Sequence, residues 1–222
     1  MTTPSAHALR ITVPGGELPA APRAGRRWRH GPGAAADIGL WVFIGFASTL
    51  FTLFLIAYVM RAVSSDWSPI GMPWQLWLST AVLAAGSALL EAAGRAARRL
   101  HGAQARALLL GGGSCALLFI GVQLWAWAVL FAGRVTPSGN PAASFFYLLT
   151  AMHGLHVLGG LAAWGWLGLG LRRQEDTATM AWRIGLCARY WHFLLLLWGV
   201  LFAAMGLLTP ELARALCGVR AA

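Results

Sequence analysis

Charged residues are scarce in this sequence. Asp, Glu, Lys and Arg together make up 11% of its 222 residues, compared with about a quarter in soluble domains. Lysine is absent altogether, so all 17 basic side chains are arginines. Hydrophobic residues instead account for 58% of the chain, and the mean hydropathy is +0.64. This composition excludes an ordinary soluble domain and indicates a membrane protein.

Paired cysteines are also lacking. Cys115, Cys187 and Cys217 lie far apart and form no CxxC motif, which excludes a disulfide framework and a thiolate metal site. The net charge of +10 would suit nucleic acid, but the arginines lie in short connectors between apolar runs, as they do in membrane proteins. No base-reading motif is present. We therefore expect no nucleic-acid partner.

Long apolar runs are the main feature that is present. A helix needs about 20 apolar residues to cross the hydrocarbon core of a bilayer, and in runs of this length only a helix satisfies its own backbone hydrogen bonds in lipid. The sequence therefore predicts an all-α membrane protein. Its five transmembrane helices are expected at approximately residues 38–60, 74–94, 107–132, 143–171 and 184–208.

The predicted membrane domain covers residues 37–209. Residues 1–36 are rich in Pro, Gly and Ala without hydrophobic periodicity, so we expect a mobile tail there, and residues 210–222 form a second, short tail. The N-terminal tail and the second and fourth connectors hold twelve arginines, whereas the other two connectors and the C-terminal tail hold four. The positive-inside rule then places the N-terminus in the cytoplasm and the C-terminus in the periplasm.

Three histidines lie inside the predicted spans. His153 and His192 fall near the middle of the fourth and fifth spans, and His156 lies one turn beyond His153. One interpretation is a bis-histidine haem, which takes one imidazole from each side. The other is that the imidazoles hydrogen-bond to the backbone, to Tyr190, to Thr150 or to each other and so hold helices together. We expect no acidic residue at this depth, and therefore neutral imidazoles.

Two further ionisable groups lie near the cytoplasmic ends of the spans. Glu91 precedes Arg95 by four residues, a spacing that predicts an ion pair at the end of the second helix, with a proton-relay role as the alternative. Arg189 lies one turn below the middle of the fifth span. It is expected either to extend to the inner interface or to pair with a carboxylate of a neighbouring chain.

Four segments carry a resemblance to a known family. "FFYLLTAMHGLHVLGG" at residues 145–160, followed by "YWHFLLLLWGVLF" at 190–202, resembles the two closing helices of subunit III of the haem-copper oxidases, the cytochrome c oxidase type. "GLWVFIGFASTLF" at 39–51 and "MPWQLWLSTAVLAAGSALL" at 72–90 match the family in the same order. The paired-histidine motif with YWHF is the specific signal. Five spans correspond to the shorter bacterial form.

The resemblance implies a non-redox subunit of an enzyme complex in the bacterial inner membrane. This chain would carry no catalytic group and bind no haem or metal, since haem and copper would belong to oxidase subunits I and II. It would stabilise the catalytic subunit, support proton uptake and hold phospholipid. The family-motif residues expected to act by packing and hydrogen bonding are His153, His156, Tyr190, Trp191, His192 and Phe193.

The sequence also departs from the family pattern. Phe46 and Ala47 occupy a stretch of the first helix where family members commonly carry a glutamate. Gly185 and Leu195 stand where many members have a glutamate before YWHF and an aspartate after it. These missing carboxylates put a direct role in proton traffic in doubt. The alternatives are subunit III of a quinol oxidase, an accessory subunit of a nitric oxide reductase, or a small membrane cytochrome b.

Overall fold

The computed structural model describes residues 32–170 and 177–217, and all regular secondary structure in these ranges is helical. Five of the helices are long and apolar enough to cross a membrane. This confirms the predicted all-α fold with five spans. The helices are α1 (Pro32–Arg61), α2 (Gln75–Arg98), α3 (Gly102–Ala132), α4 (Pro141–Gly170), α5 (Thr177–Leu207) and α6 (Pro210–Cys217).

The helix ends differ from the expected boundaries: α2 ends at Arg98 and not at 94, α3 begins at Gly102 and not at 107, and α5 begins at Thr177 and not at 184. The two expected tails differ as well. Helix α1 begins at Pro32, so the last five residues of the expected tail are helical, while residues 1–31 lie outside the described residues. The expected C-terminal tail contains α6, which the sequence reading missed because eight residues are too few for a span. Thr209 initiates α6 by accepting a hydrogen bond from the Leu212 N–H at 3.3 Å, and Pro210 takes the first helical position that suits proline.

Helices α2 and α3 form a tight antiparallel hairpin. Their connector contains only three residues, and Leu100 within it adopts a left-handed backbone with a φ of 62°. The N–H groups of Leu100 and His101 bond to the carbonyls of Ala97 and Ala96, at 3.1 Å each. This is a Schellman motif in which leucine takes the position that usually carries glycine. It reverses the chain sharply and brings α3 back along α2.

Glycines allow the backbones of this hairpin to approach closely. A Cβ atom on Gly86 would lie 2.9 Å from Cβ of Cys115, and one on Gly112 would lie 2.6 Å from Cγ of Leu90. At Gly113 a Cβ would lie 2.1 Å from the Trp164 ring of α4. Small residues at such crossings are the usual means of packing helices in lipid, where no hydrophobic driving force exists between helices.

Tryptophan side chains connect the hairpin to the remaining helices. Trp198 of α5 is fully buried, and its indole N–H donates a hydrogen bond of 2.8 Å to Oγ1 of Thr80 on α2. Trp164 donates a hydrogen bond of 2.8 Å to the carbonyl of Leu109 on α3. Each bond satisfies a polar group that hydrocarbon could not satisfy. The core of the bundle therefore lies where α2, α3, α4 and α5 meet.

Helix α1 lies at the periphery, where it packs against α4, α5 and α6. Only 11% of its most apolar stretch is buried. An ion pair of 3.0 Å joins Asp37 to Arg189 of α5, and the Trp182 indole N–H donates to Asp37 at 3.2 Å. Arg189 thus pairs within its own chain, so the expected partner on a neighbouring chain was wrong. Asp37 was not predicted as a partner, because it stands at the very start of the first span.

Polar side-chain contacts stabilise the connector between α1 and α2. Arg61 donates a hydrogen bond of 2.6 Å to Asp66, and this bond lowers the pKa of the Asp66 carboxyl to about 2. Asn140, just before α4, donates a hydrogen bond of 2.6 Å to the carbonyl of Ser68. Because the pKa is lowered, any stability from the Arg61–Asp66 contact is present above pH 4 and is lost as the pH falls toward 2.

Candidate functional site

His153 on α4 lies in the centre of the bundle. Its side chain is fully buried between the rings of Phe119 on α3 and Trp198 on α5, with ring centroids 5.6 and 5.0 Å away. Neither ring nitrogen has a hydrogen-bond partner among the described residues. His153 therefore contributes aromatic packing between three helices, and the hydrogen bonds expected of it from the sequence are not formed within the described chain.

His156 lies one turn further along α4 and faces α1. Its ring is 5.8 Å from the Phe43 ring and 5.2 Å from the Phe51 ring. Its Nδ1 lies 2.7 Å from the carbonyl of Met152, one turn earlier in the same helix. Two aromatic rings of α1 thus pack against His156.

Tyr190 connects α5 to this part of α4. Its hydroxyl donates a hydrogen bond of 2.8 Å to the carbonyl of His156, and a Cβ on Gly160 would lie only 2.8 Å from its ring. The neighbouring Trp191 is 1% exposed and belongs to the core. Phe193 is half-buried, with its ring 6.4 Å from that of Tyr190. The side chains of the YWHF segment therefore point in different directions around α5.

His192 faces α2, away from the other two histidines. Its Nδ1 lies 2.5 Å from Oγ of Ser87, and its Nε2 lies 3.4 Å from Oε2 of Glu91. The side chains of His192 and Glu91 remain 46% and 38% exposed. The sequence expectation that no acidic residue reaches the depth of the histidines was wrong, because the Glu91 side chain extends toward α5.

The arginine partner of Glu91 also differs from the expected one. The guanidinium of Arg98 lies 3.7 Å from Oε1 of Glu91, whereas the expected pair with Arg95 is not formed. Side chains on a helix point back toward its N-terminus, and Gly94 leaves room for the Arg98 guanidinium, which lies 3.6 Å from where a Cβ atom of Gly94 would be. A polar chain therefore runs from Arg98 through Glu91 and His192 to Ser87.

Ser87 is a member of this polar chain that was not predicted from the sequence. A signal for it was available, since Ser87 and Glu91 are four residues apart and must share one face of α2. The sequence does not indicate which histidine contacts that face of α2, because the relative rotation of α2 and α5 depends on packing.

The three histidines do not converge on one point in the described structure. His153 contacts α3 and α5, His156 contacts α1, and His192 contacts α2. Among residues 32–170 and 177–217 no group of three or more His, Cys, Asp or Glu side chains is arranged to hold a metal ion. The three histidines instead provide contacts between helices.

An apolar cavity of about 950 Å³ lies between α1, α4 and α5. Its walls include Leu40 and Phe43 from α1, Trp166 from α4 and Leu186 from α5. Trp182 and Arg183 line it near the beginning of α5. The cavity is open and mostly apolar, so its chemistry suits a hydrocarbon chain and not a small polar substrate.

Replacing His192 tests its polar contacts. We expect His192→Gln, which keeps a donor and an acceptor, to retain most of the helix packing, whereas His192→Leu leaves Ser87 and Glu91 without this partner. Hydrogen bonds between membrane helices contribute roughly 0.6 to 2 kcal/mol, so the leucine variant should lose about 1 kcal/mol of stability. The measurement is the thermal unfolding midpoint of the two purified variants. Equal midpoints would show that the contacts with Ser87 and Glu91 contribute no stability.

Comparison with models of protein families gave no match for this chain. Comparison with characterised sequences did. The chain is 30% identical over 162 residues to a probable cytochrome c oxidase subunit 3 of Nocardia farcinica, covering 69% of this chain and 77% of that protein. It is 27% identical over 177 residues to the cytochrome c oxidase subunit 3 of Thermostichus vulcanus, covering 78% and 87%. It is also 28% identical over 194 residues to the cytochrome bo(3) ubiquinol oxidase subunit 3 of Pseudomonas aeruginosa, covering 81% and 88%.

Proposed function

Because the chain belongs to the subunit III family of the haem-copper oxidases, we propose that it acts as the non-redox third subunit of a bacterial terminal oxidase. The observation that carries this proposal is the similarity to oxidase subunits over most of the length of both chains. In this role the chain packs against subunit I in the inner membrane, as part of a complex that also contains subunit II. The haem and copper centres belong to those partner subunits.

The proposed contribution of this chain is mechanical and not catalytic. Its five spans form a bundle whose centre is filled by aromatic rings, including those of Phe119, Trp191 and Trp198. A rigid bundle stabilises a neighbouring membrane subunit by packing and hydrogen bonding. Support of proton uptake during oxygen reduction is part of the proposal and follows from the family role. The electron donor is either cytochrome c or quinol, since the relatives include subunits of both oxidase types.

We further propose that a phospholipid acyl chain occupies the apolar cavity between α1, α4 and α5. Leu40, Phe43 and Leu186 supply apolar walls, and an acyl chain gains dispersion contacts from walls of this kind. Trp182 lies where α5 begins, in the region that interfacial tryptophans occupy. Mass spectrometry of lipids that remain with the purified complex checks this assignment, with Leu186→Trp as the variant that narrows the cavity.

Co-purification tests the proposed function. An affinity tag on this chain in its native host should recover a complex that contains haem and consumes oxygen. The same chain expressed alone with an ample haem supply should show no stoichiometric Soret band. A Soret band that disappears on replacing His192 would instead identify a membrane cytochrome, and recovery of the chain without any haem protein would contradict a role as an oxidase subunit.

The proposed orientation gives a separate prediction. The N-terminal tail and the second and fourth connectors hold twelve arginines, and the segments on the other side hold four. This difference favours a cytoplasmic N-terminus and a periplasmic C-terminus. Reporter domains fused before Met1 and after Ala222 should therefore report opposite sides of the inner membrane. The same fusions on a chain truncated after α4 supply the control, because removing one span should move the C-terminal reporter to the cytoplasm. Two signals from one side in the full chain would contradict five spans.

A further inference from the structure

The hydroxyl of Tyr58 on α1 differs from the other tyrosine hydroxyls of the chain. The Tyr147 hydroxyl donates a hydrogen bond of 2.9 Å to the carbonyl of Val135, and the Tyr190 hydroxyl donates one of 2.8 Å to the carbonyl of His156. Tyr58 is buried as deeply as Tyr147 and Tyr190. Its hydroxyl nevertheless forms no hydrogen bond with any group in the part of the chain that the structure describes.

A small cavity lies beside Tyr58, at the end of the bundle where α1 and α5 end and α4 begins. Its volume is about 30 Å³, which is close to the volume that one water molecule occupies in the liquid. The cavity is lined by Tyr58 of α1, Ile70 of the connector to α2, Phe146 of α4 and Met205 of α5, together with neighbouring residues. Three spans and one connector therefore meet around a space that fits a single water molecule.

Two stretches of backbone beside this cavity lack regular helical hydrogen bonds. Residues 69–72 of the connector adopt no regular secondary structure. At the end of α5, the Thr209 N–H bonds to the Leu207 carbonyl at 3.0 Å and not to the Met205 carbonyl one turn earlier. Peptide groups without a helical partner are usually satisfied by side chains or by ordered water. The cavity therefore has polar backbone neighbours as well as the Tyr58 hydroxyl.

We propose that this cavity binds a water molecule to which the Tyr58 hydroxyl donates a hydrogen bond. A buried tyrosine hydroxyl usually has a partner, because leaving it unpaired destabilises the folded state. A buried water typically forms about three hydrogen bonds, and peptide groups of the connector and of the end of α5 supply the others. The water then fixes one end of the peripheral helix α1, as the Asp37–Arg189 pair fixes the other.

Radiolytic labelling in water enriched in heavy oxygen tests this assignment on the purified full chain. X-rays convert a bound water to a hydroxyl radical, which adds its oxygen to an adjacent aromatic ring. We expect Tyr58 to acquire heavy oxygen several-fold faster than Tyr147 and Tyr190. These are matched controls, because the three tyrosines are 5%, 6% and 8% exposed and only the controls have carbonyl partners. Equal labelling of all three would overturn the proposal.

Tyr58→Phe supplies a second measurement. It keeps the ring, whose centroid lies 5.1 Å from that of Trp67 and 5.8 Å from that of Phe145, and removes only the hydroxyl. We expect the equilibrium constant for unfolding to rise about fivefold, as loss of one hydrogen bond does, and Tyr147→Phe should give a similar rise. Removing a hydroxyl that had no partner would instead leave stability unchanged or raise it.

An unchanged or higher unfolding midpoint for Tyr58→Phe would therefore overturn the binding of water by this hydroxyl, even if Tyr58 is labelled. Neither measurement depends on the role as an oxidase subunit, which co-purification tests separately.

Discussion

A strain that lacks this chain should produce an oxidase whose haem spectrum is intact but whose activity declines during turnover. The reason is that a supporting subunit supplies packing and not ligands. The three histidines in the described spans contact different helices and are already engaged in packing or hydrogen bonds with α1, α2, α3 and α5. The measurement is haem content and oxygen consumption of the purified enzyme, followed over many turnovers.

The control is the same strain carrying the unmodified chain on a plasmid, which should restore durable activity. Two results would contradict the expectation in different ways. Complete loss of haem from the remaining subunits would identify an assembly factor. Undiminished activity over many turnovers would leave the chain without a supporting role.

Gly113→Leu should be the most damaging single substitution in the bundle. A Cβ at this position would lie 2.1 Å from the Trp164 ring, and the Trp164 indole is held by its hydrogen bond to the Leu109 carbonyl. Overpacking costs about 1–3 kcal/mol and occasionally more, and displacement of the indole adds about 1 kcal/mol for the lost bond. We therefore expect a loss of about 3 kcal/mol or more, measured from the unfolding transition of the purified chain.

Gly121→Leu is the matched control for this substitution. It lies on the same helix, and no atom comes within 4 Å of where its Cβ would be. An exposed position of this kind should change stability by no more than about 0.5 kcal/mol. If both variants unfold at the same midpoint, α3 and α4 do not pack as closely at Gly113 as described.

The spans could be predicted from the sequence because hydrocarbon imposes a simple requirement of length and apolarity. The ends were less predictable. Helix α1 begins at Pro32, before the apolar run, because proline suits the first helical position and the alanines that follow favour helix. Helix α6 is amphipathic and short, so no rule based on spanning length could detect it.

The contacts of the ionisable residues were harder to predict than the spans. The spacing of Glu91 and Arg95 predicts an ion pair, yet Glu91 meets Arg98 and His192. Sequence spacing describes neighbours within one helix only. The partner on another helix depends on where the two helices cross and how each is rotated, and spacing within one helix specifies neither. The same reason explains why Asp37 was not recognised as the partner of Arg189.

Helix α1 is synthesised well before the helices against which it packs. It packs against α4, α5 and α6, so these contacts form only after most of the remaining chain has been made. At about 5–20 residues per second, that delay is on the order of ten seconds. During it, α1 is surrounded by lipid, which its large outward side chains tolerate. The Asp37–Arg189 pair then joins the first span to the last, so membrane assembly of this subunit is completed by contacts between the two ends of its chain.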